Sequence, residues 1–264
     1  MTAPTRLARA SLLRGALGVL CLALLWEALA WSQVFSPVLA PTLEAIAAAL
    51  ARMTLDGTLG GHVLFTLTRV LSGLGLAAVV GIPLGMLMGR FRPVERFCLP
   101  LMSVLMPIPS LAWVPIFILW FGLGNAATIM LVFYAATFPL MYNTWTGVRS
   151  VNRLWLHAAL AMGADERALF RKVVLPACLP FVIAGLRLAF ARAWIAVVGG
   201  EMIAASAWGL GWVIFDAKEF LNTDVMLGVL CIIGGLGLAV ERVVFQVLEG
   251  RTVARWGMLA TGRG

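Results

Sequence analysis

Residues 149–176 read RSVNRLWLHAALAMGADERALFRKVVLP. This is the longest interruption between the apolar runs of the chain, and no other break of its length carries as much positive charge. Val151, Leu154, Trp155, Ala158, Ala159 and Met162 recur at i, i+3, i+4, i+7, i+8 and i+11, which is one apolar stripe on a short helix. Ser150 or Asn152 can cap its start, because a short side-chain oxygen accepts from free backbone N–H groups. Gly163 can adopt φ > 0 and end it. A second helix is expected from Asp165, with Glu166 in its first turn and Arg171 and Lys172 in its last, signs that suit the helix dipole. Pro176 is expected to stop that helix and open the next span. A folded helix–glycine–helix knuckle between apolar spans implies that something docks on it.

Outside this stretch the 264-residue chain is overwhelmingly apolar: 62% hydrophobic and 12% charged, with mean hydropathy +0.98. A soluble domain of this length does not need so much apolar surface, so the composition points to an all-α, polytopic transmembrane helical bundle. The apolar runs are continuous rather than alternating, which excludes a β-barrel. The formal net charge of +8 would suggest nucleic acid for a soluble protein. Here it fits loop arginines facing the cytoplasm and anionic lipid headgroups, with no nucleic-acid partner. Cys21, Cys98, Cys178 and Cys231 all lie in apolar segments without a C-x-x-C, and read as small buried hydrophobes. His62 and His157 are the only histidines and stand far apart, so no metal site is expected.

Arg6, Arg9 and Arg14 precede the first apolar run, about residues 15–31, and place the amino terminus inside. Ala28-Leu29-Ala30 has the form of a signal-peptidase site, but Glu27 beside it argues for a retained span. Glu27 is either a functional intramembrane acid or an interfacial one beside Trp26 and Trp31. From Ser36 to Gly61 the chain is less apolar; Pro41 and Thr42 open a short amphipathic helix with Leu43, Ile46, Ala47 and Leu50 on one face. Further spans are expected at about 62–89, 97–121, 126–145, 177–205 and 225–248. Arg90, Arg92, Arg96, Arg149, Arg153, Arg167, Arg171, Lys172, Arg251, Arg255 and Arg263 then fall on the inner side, against Arg52 and Lys218 outside. That asymmetry supports six spans with both termini cytoplasmic. The domain reading is a first span and outer segment at 1–60, a core at 61–250 containing the loop 149–176, and a cytoplasmic tail at 251–264.

Inside the spans, three features stand out. Gly81, Gly85 and Gly89 make overlapping G-x-x-x-G patterns that allow close helix contact. Pro107-Ile108-Pro109 cannot continue a regular helix, because each proline removes a donor and crowds the preceding turn. Non-helical backbone at membrane depth survives only inside protein or beside water, so this break marks either a pathway or a packing kink. Arg192 and Glu201 lie deep and must pair or meet water, whereas Arg187 is near enough to the inner surface to snorkel. Loss of Arg192 is expected to leave a buried acid unpaired. Arg69 snorkels, pairs with an acid, or touches substrate. The candidate translocation-pathway residues are Pro107, Pro109, Trp113, Arg192, Glu201 and Met202. Near the inner end of the last span, Glu241 and Arg242 are expected to snorkel or pair.

Catalytic signatures are absent. The two lysines, Lys172 and Lys218, do not follow glycine as a P-loop requires, and no H-E-x-x-H or Ser-His-Asp arrangement is present. The chain is therefore not expected to be an enzyme or to hold a cofactor. The alternative of a self-sufficient secondary transporter driven by an ion gradient predicts matched broken helices in two halves. Only one proline-broken span is legible.

The run His157-Ala158-Ala159-Leu160-Ala161-Met162-Gly163-Ala164, followed by Val174-Leu175-Pro176, resembles the E-A-A…G…I-x-L-P signature of bacterial ABC importer permeases. Thr68-Arg69-Val70, Gly81-Ile82-Pro83-Leu84-Gly85, Pro107-Ile108-Pro109, Trp113-Val114-Pro115 and Trp120-Phe121-Gly122 are similar to its nitrate/sulfonate/taurine branch. So are Gly147-Val148-Arg149-Ser150-Val151, Gly185-Leu186-Arg187 and Gly200-Glu201-Met202-Ile203-Ala204. The resemblance covers roughly residues 60–250. It implies a type I importer permease in the bacterial inner membrane. In such an importer two permease copies pair, and two separate ABC ATPase subunits bind ATP and Mg inside. A periplasmic or lipid-anchored solute-binding protein delivers a small oxyanion such as an aliphatic sulfonate, taurine or a nitrate-like solute. It further implies that His157, Ala158, Ala159, Gly163, Ala164, Leu175 and Pro176 couple the spans to the ATPase. His157 stands where the family usually has Glu, which puts in doubt any salt bridge that Glu would make.

Overall fold

The computed structural model describes residues 3–205, 207–245 and 247, and the expected tail at 251–264 lies outside them. The described residues form helices joined by turns, with no strand among them. The helices are α1 (Ala3–Trp31), α2 (Leu43–Leu55), α3 (Thr58–Arg90), α4 (Arg92–Leu105), α5 (Val114–Phe121), α6 (Asn125–Arg149), α7 (Arg153–Ala161), α8 (Glu166–Leu169), α9 (Leu175–Ala204), α10 (Leu210–Glu219) and α11 (Thr223–Val240). The chain divides into two compact units, Met1–Gly61 with Val213–Ile232, and His62–Trp212 with Ile233–Gly264.

Four of the described helical stretches are long and apolar enough to cross a membrane: Thr58–Arg90, Asn125–Arg149, Glu166–Ala204 and Thr223–Val243. The bent pair Arg92–Leu105 and Ser110–Phe121 makes a fifth candidate if the two halves count as one broken span. The first expected span corresponds to the shorter apolar stretch Leu17–Trp31 within α1, below the roughly 20 residues that cross the ~30 Å hydrocarbon core unaided. Of the four cysteines only Cys178 is buried; Cys98 is half-buried, and Cys21 and Cys231 are exposed. An apolar thiol on the outside of a span meets lipid rather than water, so burial in protein is not required of it.

In the first unit, Ala28-Leu29-Ala30 is continuous helix. Glu27 accepts from the Trp31 indole N–H at 2.8 Å and from the backbone N–H of Leu43 at 2.8 Å. Of its two readings, the structure supports the local one: the acid ties the end of α1 to the first turn of α2. Thr42 caps α2. The buried face of α2 is Ile46 and Ala49, a narrower stripe than the sequence predicts, and Leu43 and Ala47 are exposed.

The second unit is built on α3, α6 and α9. Val70 and Ala77 from α3, Val132, Ala136 and Leu140 from α6, and Ala189, Phe190, Ala193 and Val197 from α9 share one core. The expected glycine contact is present: a Cβ on Gly85 would stand 2.6 Å from the Met141 carbonyl oxygen, so α3 and α6 meet backbone to backbone. Beside this core, α5 packs Val114 and Phe117 against Ala127, Leu131, Ala196 and Ala204.

Candidate functional site

The knuckle begins as the sequence predicts. Asn152, rather than Ser150, caps α7, its side chain accepting from the Leu154 N–H at 2.8 Å. The helix ends at Gly163, whose φ is +80°, and the Ala164 N–H donates to the Ala159 carbonyl at 3.0 Å. Asp165 then caps α8 by accepting from the Ala168 N–H at 2.7 Å.

The end of the second helix departs from the expectation. Pro176 does not stop it: α8 runs through a wide turn, Phe170–Val174, into α9 as one helical stretch from Glu166 to Ala204. The reason lies in the turn itself. The Leu175 N–H donates to the Phe170 carbonyl, five residues back, a π-type bond. Widening the turn just before Pro176 gives room for a ring that would otherwise crowd the preceding carbonyl, and the proline's missing donor sits where the ladder is already shifted. Arg171 and Lys172 are therefore mid-helix cations, not a C-terminal pair. The knuckle is one short helix hinged by Gly163 to the foot of a transmembrane helix.

Its apolar stripe is also not used internally. Val151 and Ala159 are buried, whereas Leu154, Trp155 and Met162 are 70%, 52% and 82% exposed. His157 and Ala158 are not buried either. Around the same end of the helices, Arg90 pairs with Glu166 at 2.9 Å and Arg149 with Glu95 at 3.2 Å, both partly in solvent. Nothing of the described chain covers Leu154, Trp155 and Met162, so the outer part of the α7 stripe is open.

The proline break is real. Between α4 and the 3₁₀ turn Ser110–Trp113 that leads into α5, the direction changes by 90°. A cavity of about 350 Å³ opens beside it, lined by residues 105–110 of the break together with Tyr134, Phe138 and Arg192 among others. The Tyr134 hydroxyl donates to the Leu105 carbonyl at 2.7 Å, which also accepts from the Ile108 N–H at 3.2 Å, so the break is held to α6. Of the expected pathway residues, Pro107, Pro109 and Arg192 line this cavity, whereas Trp113, Glu201 and Met202 do not. Trp113 packs on Tyr134 with ring centroids 5.2 Å apart.

Glu201 has a different assignment. It is fully buried and pairs with Arg69 at 2.8 Å, and Arg69 is itself only 3% exposed. Arg69 thus pairs with an acid, one of the three outcomes left open for it. Arg192 cannot share that acid: nine residues are two and a half helical turns, which puts Arg192 and Glu201 on opposite faces of α9. The expectation that losing Arg192 strands a buried acid is overturned by this geometry. Glu201 also accepts from the Thr66 hydroxyl and the Gly211 N–H, each at 2.9 Å. Arg69 donates to Asn125 at 2.8 Å and to the Trp208 carbonyl. The Thr66 hydroxyl oxygen accepts from the Leu210 N–H at 2.8 Å, and His62 accepts from the Gly209 N–H at 3.2 Å. Trp208 and Trp212 pack over His62, with centroids at 4.7 and 5.8 Å. This knot ties the loop after α9 to α3.

Several of these residues escaped sequence reasoning. His62, Thr66 and Arg69 fall at i, i+4 and i+7, so a polar stripe inside an apolar span was the available signal. Arg187, expected to snorkel, pairs with Glu241 at 3.0 Å.

Residues 81–252 match the family described as binding-protein-dependent transport system inner membrane component. A putative ABC transporter permease protein of Methanocaldococcus jannaschii is 40% identical over 222 residues, 83% of this chain and 83% of the relative. The taurine transport system permease protein TauC of Escherichia coli (strain K12) is 33% identical over 229 residues, 85% of this chain and 80% of that one. In fold, the described chain is similar to an inward-facing structure of the MetNI methionine ABC transporter, with a TM-score of 0.65 at 21% identity, over 76% of this chain and 97% of the other.

Proposed function

The chain belongs to the family of binding-protein-dependent transport system inner membrane components, and from that premise we propose that it works as a passive gate driven by separate ATPase subunits. It is a multi-pass membrane permease. In the proposed assembly two copies pair in a bacterial inner membrane, with both termini cytoplasmic and six crossings each. An ATPase subunit grips each knuckle, and a solute-binding protein delivers cargo from the opposite side.

The observation that carries this reading is the exposed face of α7. Leu154, Trp155 and Met162 present apolar surface outside the spans, and a neighbouring protein that covers them gains roughly 25 cal/mol per Å² of apolar area removed from water. Because α8 continues into α9 without a stop, a push on the knuckle is delivered directly to a transmembrane helix and to the wall of the cavity beside the break. Of the residues assigned to coupling, His157, Ala158, Gly163 and Ala164 form the contact, Ala159 packs inward and holds α7 in place, and Leu175 and Pro176 belong to the helical foot that carries the movement.

For cargo, the reading is a small oxyanion of the sulfonate class. It is supported by the similarity to a permease named for taurine and by the arginine in the cavity. A gradient-driven secondary transporter is not favoured: it calls for matched broken helices in two halves, and among the described residues one bent pair is found.

The test is Gly163→Trp in the complete transporter. Gly163 has φ +80°, so a tryptophan there strains the turn even though its Cβ would meet no atom within 4 Å; the distortion is confined to the knuckle, outside the spans, and adds bulk on the docking face. The expected result is loss of ATPase co-purification and of ATP-driven uptake. Normal uptake with Gly163→Trp, or uphill transport by the purified chain alone on an ion gradient, would sink the reading.

A further inference from the structure

We infer that Arg192 and Ser110 form a holding site for one singly charged oxyanion inside the chain, beside the break that follows α4. The inference rests on the permease reading above and names the chemistry the cavity selects. Arg192 is exposed to the cavity rather than buried, and among the described residues it makes no ion pair or hydrogen bond. It stands well inside α9, which crosses as part of Glu166–Ala204. An unpaired guanidinium at that depth is costly in lipid and is kept only where it meets water or a counter-charge. The cavity lining contains no carboxylate to serve as that counter-charge. The other charged side chain on the same helix that could compensate it, Glu201, is turned to the opposite face and fully taken by Arg69, Thr66 and Gly211.

The rest of the lining fits an oxyanion of limited size. Ser110 lies at the mouth of the 3₁₀ turn, and its hydroxyl has no partner among the described residues. A guanidinium offers a planar fork of donors that matches two oxygens of a sulfonate, nitrate or carboxylate-like group, and the serine supplies a third donor. Phe138, Tyr134, Leu188 and Ile195 give one part of the wall an apolar character, suited to the short alkyl part of a sulfonate. The volume, about 350 Å³, lies near the lower end of small-ligand cavities. One cation balances one negative charge; a dianion placed here would keep one charge without a partner, since the lining offers no second cation. The site is thus selective by charge count as well as by size. A single such site in each copy, without backbone cage or second cation, holds cargo loosely enough to pass it on, as a transport intermediate must.

Two measurements test this. The first reads binding without transport: the purified chain in detergent is labelled with phenylglyoxal, which modifies free guanidinium groups, and each arginine peptide is quantified by mass spectrometry. Ethanesulfonate and nitrate are expected to slow labelling of Arg192 and leave that of Arg153 unchanged. Equal protection by sulfate, or no protection by ethanesulfonate, overturns the proposal. The second uses the complete transporter in proteoliposomes with ethanesulfonate and nitrate as cargo. Arg192→Gln is expected to reduce uptake about tenfold or more, the usual effect of losing a hydrogen bond to a charged group. Arg192→Lys should recover part of that loss and Ser110→Ala should lose less. Retention of the ATPase subunit by the Arg192→Gln chain serves as the check on folding. If the wild-type complex takes up cargo and Arg192→Gln matches it, this inference fails while the permease reading stands. If the wild-type chain does not assemble with an ATPase at all, the permease reading fails, and the labelling result still decides the site.

Discussion

The two ends of the second unit handle polarity in opposite ways. At one end, the Arg69–Glu201 knot buries two full charges and leaves neither without partners. At the other, the knuckle leaves Leu154, Trp155 and Met162 open. A soluble protein would bury the second set and expose the first. Here the spans must close every polar group on themselves, because lipid offers no hydrogen bonds, while in the proposed function the knuckle keeps its apolar face for another protein. The contrast teaches that the chain satisfies its buried charge by itself, whereas the open apolar face of a segment outside the spans is what the proposed function assigns to a partner.

The largest expected effect comes from breaking the knot. Arg69→Ala strands Glu201 in a fully buried position and removes the tie to Asn125 and Trp208. Removing one partner of a buried pair costs about 3–5 kcal/mol, so the variant should unfold at markedly lower temperature in detergent. An apolar replacement of both partners, Arg69→Met with Glu201→Leu, should recover part of the loss, since two buried charges then disappear together. Unchanged stability for Arg69→Ala would mean that the knot is not what holds the loop, and the comparison would fall.

A smaller effect is expected at Gly209, which passes between the partners with φ +138°. A Cβ there would stand 2.5 Å from the Glu201 carboxyl carbon and 2.6 Å from an Arg69 terminal nitrogen. Gly209→Ala should therefore cost about 1–3 kcal/mol through overpacking, and it should not add to Arg69→Ala, because both act on one network. Full additivity of the two changes in thermal unfolding would show that Gly209 acts on the backbone alone.

How much of the molecule was legible in the sequence depends on how local each feature is. The start and end of α7 were readable because a cap and a glycine turn are decided by a few neighbouring residues, and the break at Pro107-Ile108-Pro109 because proline acts on its own turn. The continuity through Pro176 was not, since the widened turn that admits the ring involves the Phe170 carbonyl and no residue type announces it. Arg69 and Glu201 are separated by 132 positions, and only the three-dimensional approach of α3 and α9 shows that Glu201 belongs to Arg69 rather than facing the cavity with Arg192. The spacing of His62, Thr66 and Arg69 is compatible with one buried polar face, but nothing in it names the partner.

The smallest effect sharpens the comparison most. Asn152 holds the first turn of α7 through its bond to the Leu154 N–H, and losing such a cap costs ~1 kcal/mol. If the knuckle is held open for a partner, that cost stays local, because α7 contributes little buried surface beyond Ala159. Asn152→Ala should leave the thermal unfolding of the chain within about half a kcal/mol of wild type, the usual range for changes away from the core. It should also speed amide hydrogen exchange over residues 153–156, and Asn152→Asp or Asn152→Ser should restore the slow rate. A docked ATPase subunit would mask the difference, since ordering α7 on docking replaces what the cap supplied, so exchange in the variant should slow to the wild-type level when the subunit is added. A global loss of stability on the scale of Arg69→Ala would instead make the knuckle part of the folded core, and its exposed stripe would then need another explanation.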